Sequence, residues 1–168
     1  TDSLGRERQM GTNQLDFQQP KRIELAYTDK DGKEKTPIVI HRVIYGSLER
    51  FIGILLEHTN GTLPLWLSPI QVRVLDFTDR NTKSAEKIVH GLKEVLPELR
   101  IDTDFRSTTV SEKVRNAEIL KIPYTIVIGD KEEQTKTLSI RERGKKPVFG
   151  VKIQDFIKEI KEKIEKRV

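Results

Sequence analysis

No cysteine occurs anywhere in the 168-residue sequence. Disulfides and thiol nucleophiles are therefore excluded, and a cysteine–zinc site cannot be assembled from this chain alone. Long apolar runs are missing too: nothing approaches the ~20 consecutive apolar residues of a membrane-spanning helix. The opening stretch TDSLGRERQMGTN is polar and lacks the apolar centre of a secretory signal, so the expected location is cytoplasmic. It also lacks a convincing helix or strand and reads like the middle of a longer chain. No Walker-type phosphate loop and no G-x-S-x-G occurs, which removes those NTPase and hydrolase chemistries. Hydrophobic residues reach only 35%, a little low for a single self-sufficient core.

Charge is what the sequence has in quantity. Asp, Glu, Lys and Arg make up 34% of it, with a formal net charge of +5. Such a balance suits a wet, charged surface and is compatible with a phosphate-backbone partner without requiring one.

Periodicity divides the chain in two. Residues 22–28 (RIELAYT) alternate apolar and polar, and residues 36–44 (TPIVIHRVI) are rich in β-branched side chains. With the Asp-Gly turn signal of DKDGKEK between them, they predict an antiparallel hairpin. Ser47 is a reasonable N-cap for a helix whose Leu48, Phe51, Ile52, Leu55 and Leu56 recur at helical spacing, predicting a buried amphipathic helix that ends near His58. The Gly- and Pro-containing stretch NGTLPLWLSPI reads as a linker that packs on a neighbour through Trp66 and its leucines. Beyond it the pattern changes. Strands are predicted over 71–78, 100–106, 124–129 and 135–143, with helices over 81–97, 110–121 and 153–168. This alternation predicts an α/β domain with a largely parallel sheet, its last strand joined by a hairpin and antiparallel. The predicted organisation is 1–63, a 64–69 linker, and 70–168.

Few side chains call for chemistry by themselves. His41 sits in a β-branched strand, where a structural role is commoner than a catalytic or metal-binding one. His58 suits the carbonyl end of its helix. The three scattered histidines do not form a zinc site by spacing. Arg50, in the first turn of an apolar helix beside Glu49, is either a solvated ion pair or an arginine held rigidly to clamp phosphate oxygens. Glu132 and Arg141 are expected to flank a turn on adjacent strands, as a cross-strand ion pair or as contacts to base edges. Lys113, Arg115 and Lys121 add positive charge to one helix, which a solvated face explains equally well.

Three stretches carry a family resemblance. RQMGTNQLDF (8–17) resembles the threonyl-tRNA synthetase segment that forms a central strand of the active-site floor. PIVIHRVIYGSLERFIGILLEH (37–58) resembles motif 3 of that class II family, a strand running into a helix. LPLWLSPIQVRVLDFTD (63–79), IPYTIVIGDKE (122–132) and SIRERG (139–144) resemble its anticodon-binding domain. The resemblance covers essentially the whole chain. It implies the end of an antiparallel class II catalytic sheet over 1–63, followed by a mixed-sheet α/β anticodon-binding domain over 70–168.

The resemblance also implies roles. His41 matches the third protein ligand of an active-site Zn2+ whose cysteine and histidine partners would lie upstream. That metal would grip the amino and hydroxyl groups of threonine and so reject valine. Arg50 matches the motif 3 arginine that contacts the phosphates of ATP, which is bound with Mg2+. Gln9, Thr12 and Gln14 match positions lining the ATP and threonine pocket, and Ser47 lies beside it. Glu132 and Arg141 match positions reading the anticodon of tRNA(Thr), and Ser107, Thr109 and Lys121 lie in the same region. Ser107 and Thr109 stand where bacterial members usually have Asn and Lys, a departure that points to an archaeal-type sequence. The full-length parent is implied to be a homodimeric threonine–tRNA ligase. Motifs 1 and 2 are missing, so the chain alone is expected to form no adenylate and to hold no tight zinc. The alternative is a non-enzymatic RNA-binding or accessory protein built on the same domain.

Overall fold

The structure is a computed structural model and describes residues 1–167. The chain divides into two compact units, Thr1–Gly61 and the segment from Thr62 onward.

The first unit contains β1 (Thr12–Asp16), α1 (Gln19–Arg22), β2 (Tyr27–Thr28), β3 (Glu34–Lys35), β4 (Val39–Val43) and α2 (Leu48–His58). The hairpin expected between 22–28 and 36–44 does not form. β4 pairs instead with β1, antiparallel, with Thr12 opposite Val43 and Gln14 opposite His41. Only Tyr27–Thr28 of the earlier stretch is extended, and it pairs with Glu34–Lys35. The cause is local. Pro20 opens a helical turn, and Asp16 Oδ1 caps it by accepting from the backbone N–H groups of Gln18 and Gln19, both at 2.9 Å. Glu24 then takes a left-handed φ of 54°, which ends the alternation before a long strand can form.

Helix α2 forms as expected, with Ser47 Oγ accepting from the backbone N–H of Arg50 at 3.2 Å. Glu49 in its first turn and His58 in its last both suit the helix dipole. The expected burial is not met. Leu48, Ile52 and Leu56 form one stripe yet remain 53%, 45% and 41% exposed, and no residue of α2 is buried. Helical spacing defines an apolar face; burial needs a second layer, which the first unit does not contain.

The second unit contains β5 (Val72–Asp76), α3 (Thr82–Val95), β6 (Ile101–Asp104), α4 (Val110–Ile119), β7 (Tyr124–Ile128), α5 (Asp130–Thr135), β8 (Thr137–Glu142), β9 (Val148–Lys152) and α6 (Ile153–Glu165). The sheet order is β6-β5-β7-β8-β9. β5 runs parallel to β6 and β7, while β8 is antiparallel to both of its neighbours, β7 and β9. This is the mixed-sheet α/β fold expected from the alternation.

Two elements were not foreseen. α5 replaces the direct hairpin into β8; at six residues it is too short for a periodic signature, and Lys136 ends it with a left-handed φ of 54°. β9 is masked in sequence because Gly150 (φ 71°) and a register shift opposite Leu138 and Ile140 break its alternation. The helix expected over 153–168 is present as α6, and Val168 lies outside the described residues.

The core lies on one face of this sheet. Val72, Val74, Tyr124, Ile126, Leu138 and Ile140 point toward Ala85 and Leu92 of α3 and Phe156 and Ile160 of α6. Full burial of one such aliphatic side chain stabilises by about 1.5–3 kcal/mol. The stretch expected as a linker belongs to this unit. Leu65 is in the core cluster, Arg100 donates to the carbonyls of Trp66 (2.8 Å) and Ser68 (2.9 Å), and Arg143 donates to that of Leu63 (2.8 Å). The other face is mixed: by alternation it carries Arg73, Thr125, Ser139 and Arg141 together with buried Leu75, and α4 packs against it. Among the described residues no helix is long and apolar enough to cross a membrane.

Candidate nucleic-acid interface

Parallel strands bring their carboxyl ends to one edge, where open α/β sheets take ligands. Here that edge is formed by the residues after β5, β6 and β7. A groove of about 800 Å³ lies there, lined by Phe77, Thr78, Asp79, Arg80, Ser107, Thr108, Thr109 and Val110. Two of the expected contacts, Ser107 and Thr109, therefore sit together. Ser107 Oγ approaches Asp79 Oδ2 at 3.4 Å. Thr109 Oγ1 caps α4 by accepting from the N–H of Glu112 at 3.3 Å, which leaves its own hydroxyl proton for another partner.

Glu132 is not on a strand. It lies in the first turn of α5, and its Oε2 accepts from the N–H of Gly129 at 3.1 Å. The absence of a side chain at Gly129 makes this geometry available. A methyl group there would fall 3.1 Å from Glu132 Oε2 and 3.4 Å from the Cβ of Phe77. Phe77 and Glu132 thus close around the same side of Gly129.

The floor of this edge is charged. Lys113 of α4 is buried against the carboxylate of Asp76, with side-chain exposures of 1% and 0%. Thr82 Oγ1 donates to the other oxygen of Asp76 at 2.6 Å. The solvated-face alternative therefore does not hold for Lys113: its turn of α4 faces the sheet, and the ammonium passes buried apolar neighbours to reach a carboxylate. Beside it, Arg106 binds Asp104 through both forks, at 2.8 and 2.7 Å. The Arg106 hydrogen bonds hold the Asp104 carboxyl below the usual carboxylate range.

Arg141 belongs to a separate place. It lies on β8 opposite Thr125, with its Nη2 2.8 Å from Glu118 Oε1 at the end of α4. A hollow of about 270 Å³ there is lined by Glu118, Ile122, Thr125, Arg141, Arg143 and Gly144. Lys121 follows α4 with a φ of 55°, and its carbonyl accepts from Arg143 Nη1 at 2.6 Å. Glu132 and Arg141 consequently do not flank one turn. Glu132 lies beyond the end of β7 in α5, whereas Arg141 sits beside Thr125, three residues before that end.

In the first unit Thr12 and Gln14 share one face of the β1–β4 ribbon with His41, while Gln9 precedes β1 and is exposed. His41 Nε2 lies 3.1 Å from Oδ2 of Asp16, on that same face. The backbone N–H of Gln19, then His41 and the N–H of Gln18, hold the Asp16 carboxyl below its ordinary range. Among the described residues no group of three or more metal-ligating side chains comes together. Ser47 uses its hydroxyl oxygen as the cap of α2, and among the described residues Arg50 and Glu49 form no ion pair.

Residues 71–163 match the family described as the anticodon binding domain. The chain belongs to the anticodon binding domain family. Ahead of this anticodon-binding domain, residues 1–59 match the tRNA synthetase class II core domain (G, H, P, S and T). The expected resemblance to threonyl-tRNA synthetases extends along the chain. It is 47% identical to the threonine–tRNA ligase of Desulforamulus reducens over 99% of its length, and 48% identical to that of Symbiobacterium thermophilum over 94%. The chain spans only 26% and 24% of those two relatives. The crystal structure of the RNA binding domain of threonyl-tRNA synthetase from Cryptosporidium parvum matches 96% of this chain, and 40% of its own, with a TM-score of 0.77 and 34% identity. A prolyl-tRNA synthetase from the same organism shares the fold over 97% of this chain and 35% of its own, with a TM-score of 0.73 at 20% identity.

Phe77 is the functional candidate missed in sequence. The only signal available was a large aromatic where the apolar alternation of β5 stops, and a core residue would give the same signal.

Proposed function

We propose that this chain is the part of a threonine–tRNA ligase that recognises the anticodon of tRNA(Thr), carried beside a portion of the catalytic domain. The observation that carries this reading is the pair of separated polar stations, Glu132 at the strand-end edge and Arg141 on the face opposite the core. Threonine anticodons share a middle G followed by U. A guanidinium matches the O6 and N7 acceptors of guanine, and a fixed carboxylate accepts the imino proton of uracil. Two stations on different elements, one in α5 and one on β8, suit two different bases better than one. The excess positive charge favours association with the RNA backbone.

In the parent reaction threonine is activated with ATP and Mg2+ and transferred to the tRNA, in a cytoplasmic homodimer. Arg50, with its backbone held by the Ser47 cap and its guanidinium unpaired with Glu49, would offset negative charge on the ATP phosphates. Gln9, Thr12 and Gln14 would line the ATP and threonine pocket, the latter two from the face that carries His41. Zn2+ would supply a Lewis acid for the threonine amino and hydroxyl groups. His41 and Asp16 are only two donors, short of the four that hold such an ion, so the remaining ligands would come from outside this chain.

The test is binding of anticodon stem-loop RNAs to the chain across a salt series. The threonine anticodon should bind more tightly than unrelated ones, and affinity should fall linearly on a log–log plot against salt. Equal affinity for every anticodon would overturn the reading.

A further inference from the structure

Phe77 stands out among the side chains of the second unit. It follows a strand whose residues are all buried, yet it is itself 52% exposed. Phe156, by comparison, is 1% exposed in the core. The position of Phe77 is fixed: its backbone N–H donates to the carbonyl of Ile128 at 2.9 Å, extending the β5–β7 ladder by one residue. The ring lines the wall of the strand-end groove, opposite the Ser107–Val110 stretch. Next to it, Gly129 adds no side-chain bulk, and the Glu132 carboxylate is anchored by one oxygen to the Gly129 N–H. An exposed aromatic plane on a rigid strand end in an open groove, with an anchored carboxylate close by, has the parts for holding a flat ligand with N–H groups on its edge.

We propose that the Phe77 ring is a stacking platform for one unpaired nucleobase of the bound RNA, holding that base so that Glu132 reads its edge. This rests on the RNA-recognition reading above. Stacking on an aromatic ring is tolerant of base identity because every base has a π face, whereas the carboxylate discriminates by the N–H it accepts. Phe77 supplies affinity and orientation; Glu132 supplies the choice.

The experiment uses the full chain and anticodon stem-loop RNAs carrying 2-aminopurine at one loop position at a time. With the wild-type chain, fluorescence at one position should be quenched on binding. Phe77→Ala should remove that quenching and weaken binding by roughly tenfold, within the range of single base–aromatic stacks. The loss should be similar whichever base occupies that position, while Glu132→Ala should lose discrimination there. Phe77→Tyr should retain both quenching and affinity. Phe77→Leu keeps apolar bulk without the π face and should lose the quenching, which separates stacking from a packing role. Unchanged affinity in Phe77→Ala, or quenching that persists in both Phe77→Ala and Phe77→Leu, would overturn the proposal. If the wild-type chain binds no stem-loop at all, the RNA-recognition reading itself falls, and this proposal with it.

Discussion

The ammonium of Lys113 and the carboxylate of Asp76 form an ion pair sealed from water, tying α4 to the end of β5 directly before Phe77. Removing one partner strands the other in a low-dielectric interior. Lys113→Met should destabilise the chain by about 3–5 kcal/mol, and the Lys113→Met/Asp76→Leu double variant should recover part of that loss. Urea unfolding of the three proteins measures it. A Lys113→Met midpoint equal to wild type would show that the pair carries no such load.

Arg141 faces Glu118 across a half-exposed pair, an arrangement worth at most about 1 kcal/mol. Arg141→Ala should therefore leave folding nearly unchanged. It should cost about 1–3 kcal/mol of discrimination at the middle guanine of the anticodon. Stem-loop affinities for guanine and adenine at that position give the number directly. The same loss for both would mean that Arg141 touches only phosphate. Glu118→Ala, which frees the guanidinium, should bind RNA at least as well as wild type.

Tyr124 reports on alkaline stability. Its ring is in the core, and its hydroxyl donates to Glu159 Oε1 at 3.0 Å while accepting from Lys163. Burial, with the Glu142 and Glu159 carboxylates adding to it against the Lys163 hydrogen bond, pushes its pKa up to about 12. A raised folded value means that the folded state holds this proton more tightly. The contribution is fully present below the ordinary tyrosine value near 10 and is lost as pH rises through about 12. Unfolding free energy should fall across that window, and Tyr124→Phe should fall less steeply. In a phenolate absorbance titration, Tyr124→Phe should remove signal that develops near pH 12. A titration curve unchanged near pH 12 in Tyr124→Phe would contradict this.

Metal and adenylate chemistry give a sharper division of labour. The chain alone should bind Zn2+ no more tightly than a His–Asp pair does, and His41→Ala should abolish what binding there is. It should also catalyse no threonine-dependent ATP–pyrophosphate exchange. Equilibrium dialysis with a competing chelator and a radiolabelled exchange assay address the two claims. A stoichiometric, chelator-resistant zinc ion in the wild-type chain would refute the first, and measurable exchange would refute the second.

Local signals in the sequence carried much of the fold. The cap at Ser47, the helices α3, α4 and α6, and the strands β5, β6, β7 and β8 follow from periodicity and turn chemistry. Such signals act within a few residues, so they survive any tertiary arrangement. Where the outcome depended on a partner distant in the chain, they did not suffice. The stretch 36–44 was legible as a strand, but its pairing with β1 rather than with 22–28 rested on contacts between segments more than twenty residues apart. α5 was hidden for the opposite reason, being too short to show a period at all.

The same boundary runs through the site. Residue types by themselves marked Glu132 and Arg141 as suited to base edges, and the family resemblance marked Ser107, Thr109, His41 and Arg50. Sequence could not say that Glu132 and Arg141 stand at separate stations, because Glu132 lies in a helix too short to show a period and Arg141 on the strand that follows it. Nor could it say that Lys113 is interior while Phe77 is exposed. A lysine on a charged helix and a phenylalanine ending an apolar strand each carry the pattern of the opposite environment. Burial is a property of what packs against a residue, and only the folded sheet, with α4 laid across the end of β5, assigns the lysine to the inside and the aromatic ring to the groove.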